Sequence, residues 1–411
     1  FQNRVGGEVI PDLSKETPVE TVQPSVAAPA LARRIWIERT QQLSTIFSSS
    51  PSIESSDVWA IQTRGTRYYV NSEGFTTVTP IQIATLRVVG ETQAGDNMTV
   101  RDGFSLVENR LDDLPPLEVL AARTRDVVAR LTAQRMAPLG DDFTGPVLIE
   151  GQASAEFVAQ TLVPLMLARR PADGENPRFA QSQGQGTPFL RRLGLRVLSD
   201  SFSVADTPNL STYEGRPVPG AYAADDEGLR PKDVALVEKG RLLSLLTSRT
   251  PQKNLLQSNG HGRAGSVQPG VLQVRSAQAI PASQLKQKYL ELLKLQETPF
   301  GYIVRSIAGP GEVTGGGGGG PMILDVVKVT PDGKEEPVRG LRFGDVPSTA
   351  FRDILEASEE RTLLNFRINV ATSASVIAPS LIFEEMDVQR TREIVQKPPI
   401  ATPSVTRPAS I

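Results

Sequence analysis

Residues 145–157 read Gly145-Pro146-Val147-Leu148-Ile149-Glu150-Gly151-Gln152-Ala153-Ser154-Ala155-Glu156-Phe157, and this stretch decides the fold. Val147, Leu148 and Ile149 form a short apolar run, which predicts a buried strand ending in a turn at Gly151. Gln152 to Arg169 then reads as a helix with Phe157, Leu162, Leu165 and Met166 as its apolar members, kinked at Pro164. Glu150 and Glu156 flank the turn, at a place where polar side chains often meet ligands. Six helical steps rotate by about 600 degrees, so the two carboxylates share no face unless Glu150 precedes the helix. A metal or acid/base role and a simple charge interaction with the helix start are the two readings of the pair.

On the N-terminal side, Pro115-Pro116 opens a helical stripe of Leu117, Leu120, Ala121, Thr124, Val128 and Leu131 that Pro138 stops. Before it lies a β-rich stretch: 57–70 with a break expected at Gly65, a turn at Asn71-Ser72-Glu73-Gly74, then 75–90 and 98–106. The spacing of Leu31, Ile35, Leu43, Ile46 and Phe47 predicts an amphipathic helix ended by Pro51. Residues 1–30, with Pro11, Pro18, Pro24 and Pro29 among acidic residues, read as an extended connector. Meander and helices make one α+β domain, 31–170. Phe1 opens the chain without an initiator Met, a basic n-region or an apolar h-region, so a trimmed start is expected.

On the C-terminal side, 171–188 reads as a mobile loop and the domain boundary, and 189–390 as a β-rich domain. Strands are expected at 195–198, 202–204, 234–237, 242–246, 271–274, 300–307, 322–330 and 381–388, with one helix carrying Leu285, Tyr289, Leu292 and Leu293. Glu238–Arg241 and Pro331–Lys334 are hairpin loops, and the Pro-rich tail 391–411 is expected to be disordered or to run along the surface. The glycine run 315–320 precedes a strand, so a flexible loop, or a flap near a substrate channel, is expected in place of a phosphate cradle.

The chain of 411 residues carries 44 Lys and Arg against 46 Asp and Glu, so its overall charge offers nucleic acid no electrostatic support. No apolar run approaches the roughly 18 residues of a membrane helix. With no Cys and His261 as the single histidine, Cys/His zinc sites, paired imidazoles, thiol nucleophiles, disulfides and iron–sulfur clusters are excluded. His261 sits in Asn259-Gly260-His261-Gly262-Arg263, where flanking glycines allow close backbone approach and Asn259 and Arg263 could bond an extended peptide. A tight turn whose imidazole bonds a carbonyl is the plainer reading, and no placed nucleophile completes a triad. Asp225-Asp226-Glu227-Gly228 is expected to be a solvated turn ahead of a cation site.

Taken in order, YYVNSEG at 68–74, GPVLIEGQASAEF at 145–157, FLRRLGLRVL at 189–198, GAYAADDEG at 220–228, SRTPQKNLLQSNGHGR at 248–263, EEPVRGL at 335–341 and APSLIFEEM at 378–386 resemble the TldD/PmbA (TldD/TldE) family, peptidases also described as modulators of DNA gyrase. The resemblance implies an N-terminal α+β domain, a β-rich C-terminal domain, assembly into dimers and an unfolded peptide taken into a groove as an added strand. It also favours a cytoplasmic location. Active members carry HExxxH on the helix after the buried strand, and a C-terminal Cys completes the zinc site. Here Glu150, Gly151 and Ala155 stand at the His, Glu and His positions, and 365–376 offers no Cys. The expectation is a zinc-free, cofactor-free, non-catalytic protein that binds extended peptide through Asn259, Gly260, His261, Gly262 and Arg263, as a homodimer or as partner of a TldD-type subunit. The alternatives are a peptidase or other hydrolase using Glu150, Glu156 or His261, and a purely structural homodimer.

Overall fold

The computed structural model describes residues 4–5, 8–23, 33–170, 189–310 and 320–391. The expected loop at 171–188, most of the glycine run, parts of the connector and the tail after Thr391 lie outside the described residues.

Alternation of apolar side chains builds the first sheet. Thr76–Gln93 is its central strand, paired along its whole length with Ser55–Val70. On its other edge it pairs with Glu20–Val22 at one end and Thr99–Glu108 at the other. Helices α1 (Arg33–Phe47) and α2 (Leu117–Met136) cover one face, where Leu86 and Val88 pack against Leu43, Phe47, Leu120 and Leu131. Gly90 is what lets the helices close: a Cβ there would lie 2.6 Å from Phe47 and 2.8 Å from Leu131. Thr85 and Arg87, of opposite parity, point to the other face. The break expected at Gly65 is absent, because a continuous ladder carries the strand through it, with Gly65 opposite Ile81.

The second sheet has eleven strands. Its longest, Ser373–Arg390, runs parallel to Val271–Ser276 and antiparallel to Ile354–Arg367 and Phe143–Ile149. Phe143–Ile149 also lies parallel to Gly301–Ile307. The strand Phe143–Ile149, expected with the N-terminal domain, is therefore part of the C-terminal sheet. Val147 and Ile149 pack on α3 (Gly151–Thr161), whose Phe157 ring lies 4.9 Å from Phe343 and 5.4 Å from Phe383. Leu148 faces the opposite side, against Leu285, Tyr289 and Leu293 of α4 (Ala282–Leu295). Both faces are covered, which is why the strand reads as an unbroken apolar run.

Pro164 ends the third helix instead of kinking it: α3 stops at Thr161 and a 3-10 turn follows over Val163–Met166. Proline has no N–H to give and crowds the preceding turn. Leu195–Leu198 forms a single bridge, Arg196 to Arg241, and the expected 242–246 strand is only Arg241–Leu242. Ile354–Arg367 is a strand whose charged stretch, Glu356 to Arg361, coincides with a register shift that hides its alternation.

Candidate functional site

The side of the meander away from α1 and α2 meets α3 and the end of the Ile354–Arg367 strand across a cleft of about 730 Å³. Trp59, Thr85, Arg87 and Arg101 line it from the meander, and Glu156, Leu364 and Phe366 from the C-terminal sheet. Glu156 is almost wholly buried, and its Oε1 accepts from Gln152 Nε2 at 2.8 Å. Arg123 donates to Gln152 Oε1 at 3.2 Å and stacks over the Phe104 ring at 4.9 Å, so a guanidinium backs the carboxylate through one amide. Neither Arg123 nor Gln152 had a signal in the sequence, because their meeting depends on how α2 and α3 pack.

Glu150 belongs elsewhere. It caps α3 by its backbone, with no side-chain cap bond, and Arg305 Nε lies 3.4 Å from its Oε2. Arg305 also donates to both Glu335 oxygens, at 3.0 and 2.9 Å, and Lys286 reaches the same carboxylate at 2.6 Å. The two glutamates thus serve different partners and do not form a dyad.

The donor set at the family's metal positions does not fit a zinc ion. Gly151 has no side chain, Ala155 is fully buried and apolar, and Glu150 is held by Arg305. Across the cleft, Asn365 Oδ1 accepts from Ser375 Oγ at 2.7 Å. Among the described residues no three His, Cys, Asp or Glu side chains converge on one point.

Residues 259–263 form no open edge. His261 is fully buried, with Nε2 3.2 Å from Asp206 Oδ1 and Nδ1 2.9 Å from Asn259 Oδ1. Both ring nitrogens face oxygen atoms of the surrounding chain. The backbone is spoken for as well. Gly260 O accepts from Tyr222 Oη at 2.7 Å, Gly262 N donates to Asp225 Oδ2 at 3.1 Å, and Gly262 O accepts from Asp226 N at 2.8 Å. A Cβ at Gly262 would fall 2.2 Å from Glu227 Oε2. Arg263, nearly enclosed, bonds Pro269 O at 2.7 Å and Ser373 O at 2.9 Å, and its guanidinium stacks on Tyr222 at 4.0 Å. Arg263 and Tyr222 border a second cleft of about 460 Å³.

The acidic cluster is not the expected solvated turn. Asp225 is only 2% exposed and accepts from the Leu229, Glu227 and Gly262 amides. Burial pushes its carboxyl up to about 7, against the pull of those amides. Asp226 pairs with Arg67 of the meander, and Glu227 accepts from Arg249 N at 2.7 Å. Arg249 in turn reaches Glu73, which fastens the Asn71–Gly74 turn to the C-terminal sheet. Asp206, the acceptor for His261 and for the Gly270 and Val271 amides, carries no local signal in its strand.

Comparison with known proteins agrees with this architecture. Residues 143–390 match the family described as PmbA/TldA metallopeptidase C-terminal domain, so the chain belongs to the PmbA/TldD family. A curated metalloprotease of Methanothermobacter thermautotrophicus is 25% identical over 273 residues, covering 63% of this chain and 52% of the relative, so the match spans about half of the relative's length. Among solved structures, a proposed modulator of a DNA gyrase from Thermotoga maritima superposes with a TM-score of 0.63 at 16% identity, over 93% of this chain and 80% of the other. TldE from Thermococcus kodakarensis gives 0.58 at 15%, over 93% and 79%. These two likenesses concern the fold alone. No described helix is long and apolar enough to cross a membrane.

Proposed function

We propose that the chain is a peptide-holding subunit of its family that works without the family's zinc chemistry, alone as a dimer or as partner of a metal-bearing TldD-type subunit. One observation carries this reading: a cleft lies beside α3 while the three positions for metal donors hold Glu150, Gly151 and Ala155. Without nitrogen or sulfur donors the family's zinc site does not form, and no zinc-bound water is acidified there for attack on a peptide bond. The likeness of fold to TldE supports the partner role. No cofactor is assigned in this reading. Within 259–263, Arg263 borders the second cleft and Gly262 a smaller one of about 140 Å³, so contact of that segment with peptide in the second cleft runs through Arg263 and the Tyr222 ring it stacks on.

Zinc analysis after dialysis against a weak chelator should find well under one ion per chain, and one tightly held zinc per chain overturns the proposal. Light scattering should show self-association or a complex with a TldD-type subunit; a monomer under both conditions counts against the partner role. A second reading, hydrolysis by a carboxylate, is favoured by Glu156 alone, because it is the acid that lines the cleft. Loss of a measured peptidase activity in Glu156→Gln with the fold intact would establish it. His261, sealed from solvent, has no route to a substrate.

A further inference from the structure

The cleft beside α3 is unbalanced in charge and leaves the buried Thr85 hydroxyl without a hydrogen-bond partner among the described residues. Its lining includes three guanidiniums, Arg87, Arg101 and Arg367, and one carboxylate, Glu156. Glu156 accepts from Gln152, which Arg123 backs in turn. Arg101 shares Glu91 at 3.1 Å on the meander, and Arg367 gives Nε to Asn369 O at 2.9 Å. Positive charge therefore exceeds negative inside a partly enclosed, low-dielectric space, where an anion is held more strongly than at an open surface.

The second observation is independent. Thr85 is 6% exposed, lines the cleft, and its Oγ1 has no hydrogen-bond partner among the described residues. Its cross-strand neighbours, Ile61 and Val107, are hydrocarbon and cannot supply one. A buried hydroxyl left unpaired costs about 1–3 kcal/mol, so the site is built for an acceptor that the chain does not provide. Next to it Trp59, Arg87 and Ser105 stand in one row across three strands. Trp59 and Phe366 add half-buried aromatic surface beside the cations.

We propose that this cleft selects acidic peptide: a side-chain carboxylate accepts from Thr85 Oγ1 beside the arginines, and an apolar neighbour in the peptide rests on Trp59 and Phe366. The proposal rests on the peptide-holding reading and adds the substrate class to it. A point charge without the apolar neighbour would use half of the site, and a basic peptide would meet like charge.

The test is fluorescence anisotropy of the full chain with three labelled peptides of one length and one apolar pattern, differing only in Glu, Gln or Lys at alternate positions. The Glu peptide should bind at least about tenfold tighter than the Gln peptide, a difference of about 1.4 kcal/mol, and its affinity should fall with salt. The Lys peptide should bind weakest. Thr85→Val, which keeps size and β-branching, and Arg101→Gln should each weaken the Glu peptide several-fold and leave the Gln peptide unchanged, with circular dichroism reporting the fold. Equal binding of Glu and Gln peptides overturns the proposal and leaves the peptide-holding reading standing. No binding of any of the three overturns both. Displacement of the Glu peptide by millimolar inorganic phosphate as readily as by unlabelled peptide overturns the peptide assignment in favour of a bare anion site.

Discussion

The cleft beside α3 and the network around His261 both lie against the meander sheet, and they treat polar groups in opposite ways. Around His261 the ring nitrogens and the backbone beside them are answered: Asp206 receives the imidazole and two amides, Asn259 holds the other ring nitrogen, and Tyr222 closes Gly260 O. In the cleft the Thr85 hydroxyl is unanswered and the arginines outnumber the acid. A satisfied buried network fixes a conformation, whereas an unsatisfied one beside open volume is suited to a ligand. The segment most conspicuous in sequence, a lone histidine between glycines, thus belongs to the packing, and Glu156, on the plain first turns of α3, belongs to the opening.

If that contrast is right, the heaviest damage comes from emptying the network. Asp206→Ala removes the acceptor of His261 Nε2 and of the Gly270 and Val271 amides in a fully buried site, and should cost about 3–5 kcal/mol in urea unfolding. Gly262→Val comes next, since its Cβ would collide with the Glu227 carboxylate that receives Arg249 N. The expected loss is about 2–3 kcal/mol, by overpacking and by displacing a buried acceptor. A near-neutral Gly262→Val would mean that the segment yields easily, and the contrast would break.

How much of this was legible in the sequence follows from what each signal depends on. Val147 to Ile149 and the stripe on α2 were readable because strand and helix periodicity are local. The strand Ile354–Arg367 was not, because a charged stretch at a register shift imitates a loop. The placement of Phe143–Ile149 in the larger sheet depends on pairing with Gly301–Ile307 and Ser373–Arg390, more than 150 residues away in sequence. At the site, the loss of metal donors could be read by position, but the Arg123–Gln152–Glu156 relay and the Asp206 acceptor arise only where separate elements meet.

Glu108 tests the seam between the sheets through pH. It is nearly buried, Arg216 of the C-terminal half lies 3.4 Å away, and burial pushes its carboxyl up to about 7 despite that partner. The folded chain therefore keeps a proton that the unfolded chain, near 4.5, has lost. Glu108's contribution is complete below about 4.5 and disappears as pH rises through about 7, a change on the order of 3 kcal/mol at most. Glu108→Gln should flatten the stability profile between these limits. An unchanged slope would show that Glu108 is paired strongly enough to stay ionised.

Thr85→Val is the converse of Asp206→Ala. Replacing an unanswered buried hydroxyl by a methyl group of the same shape should leave stability unchanged or raise it by up to about 1 kcal/mol. A loss of more than that would mean the hydroxyl is used in the free protein, and the cleft would join the network as packing.

Glu150→Gln carries the smallest effect and bears on the metal positions directly. Glu150 and Arg305 are each more than a third exposed at 3.4 Å, and Arg305 has a second, better partner in Glu335 at 2.9 Å. Water screens the first pair, and the second retains the guanidinium when the first is lost. Glutamine keeps the length of the side chain, and the α3 start loses no cap because Glu150 makes no side-chain cap bond. Thermal unfolding should therefore shift by the equivalent of about 1 kcal/mol or less. The binding of the acidic peptide should not move either, since Glu150 points to Arg305 and not into the cleft lining. A large loss of either stability or binding would place Glu150 in the working site and return the first position of the family's metal motif to a functional role.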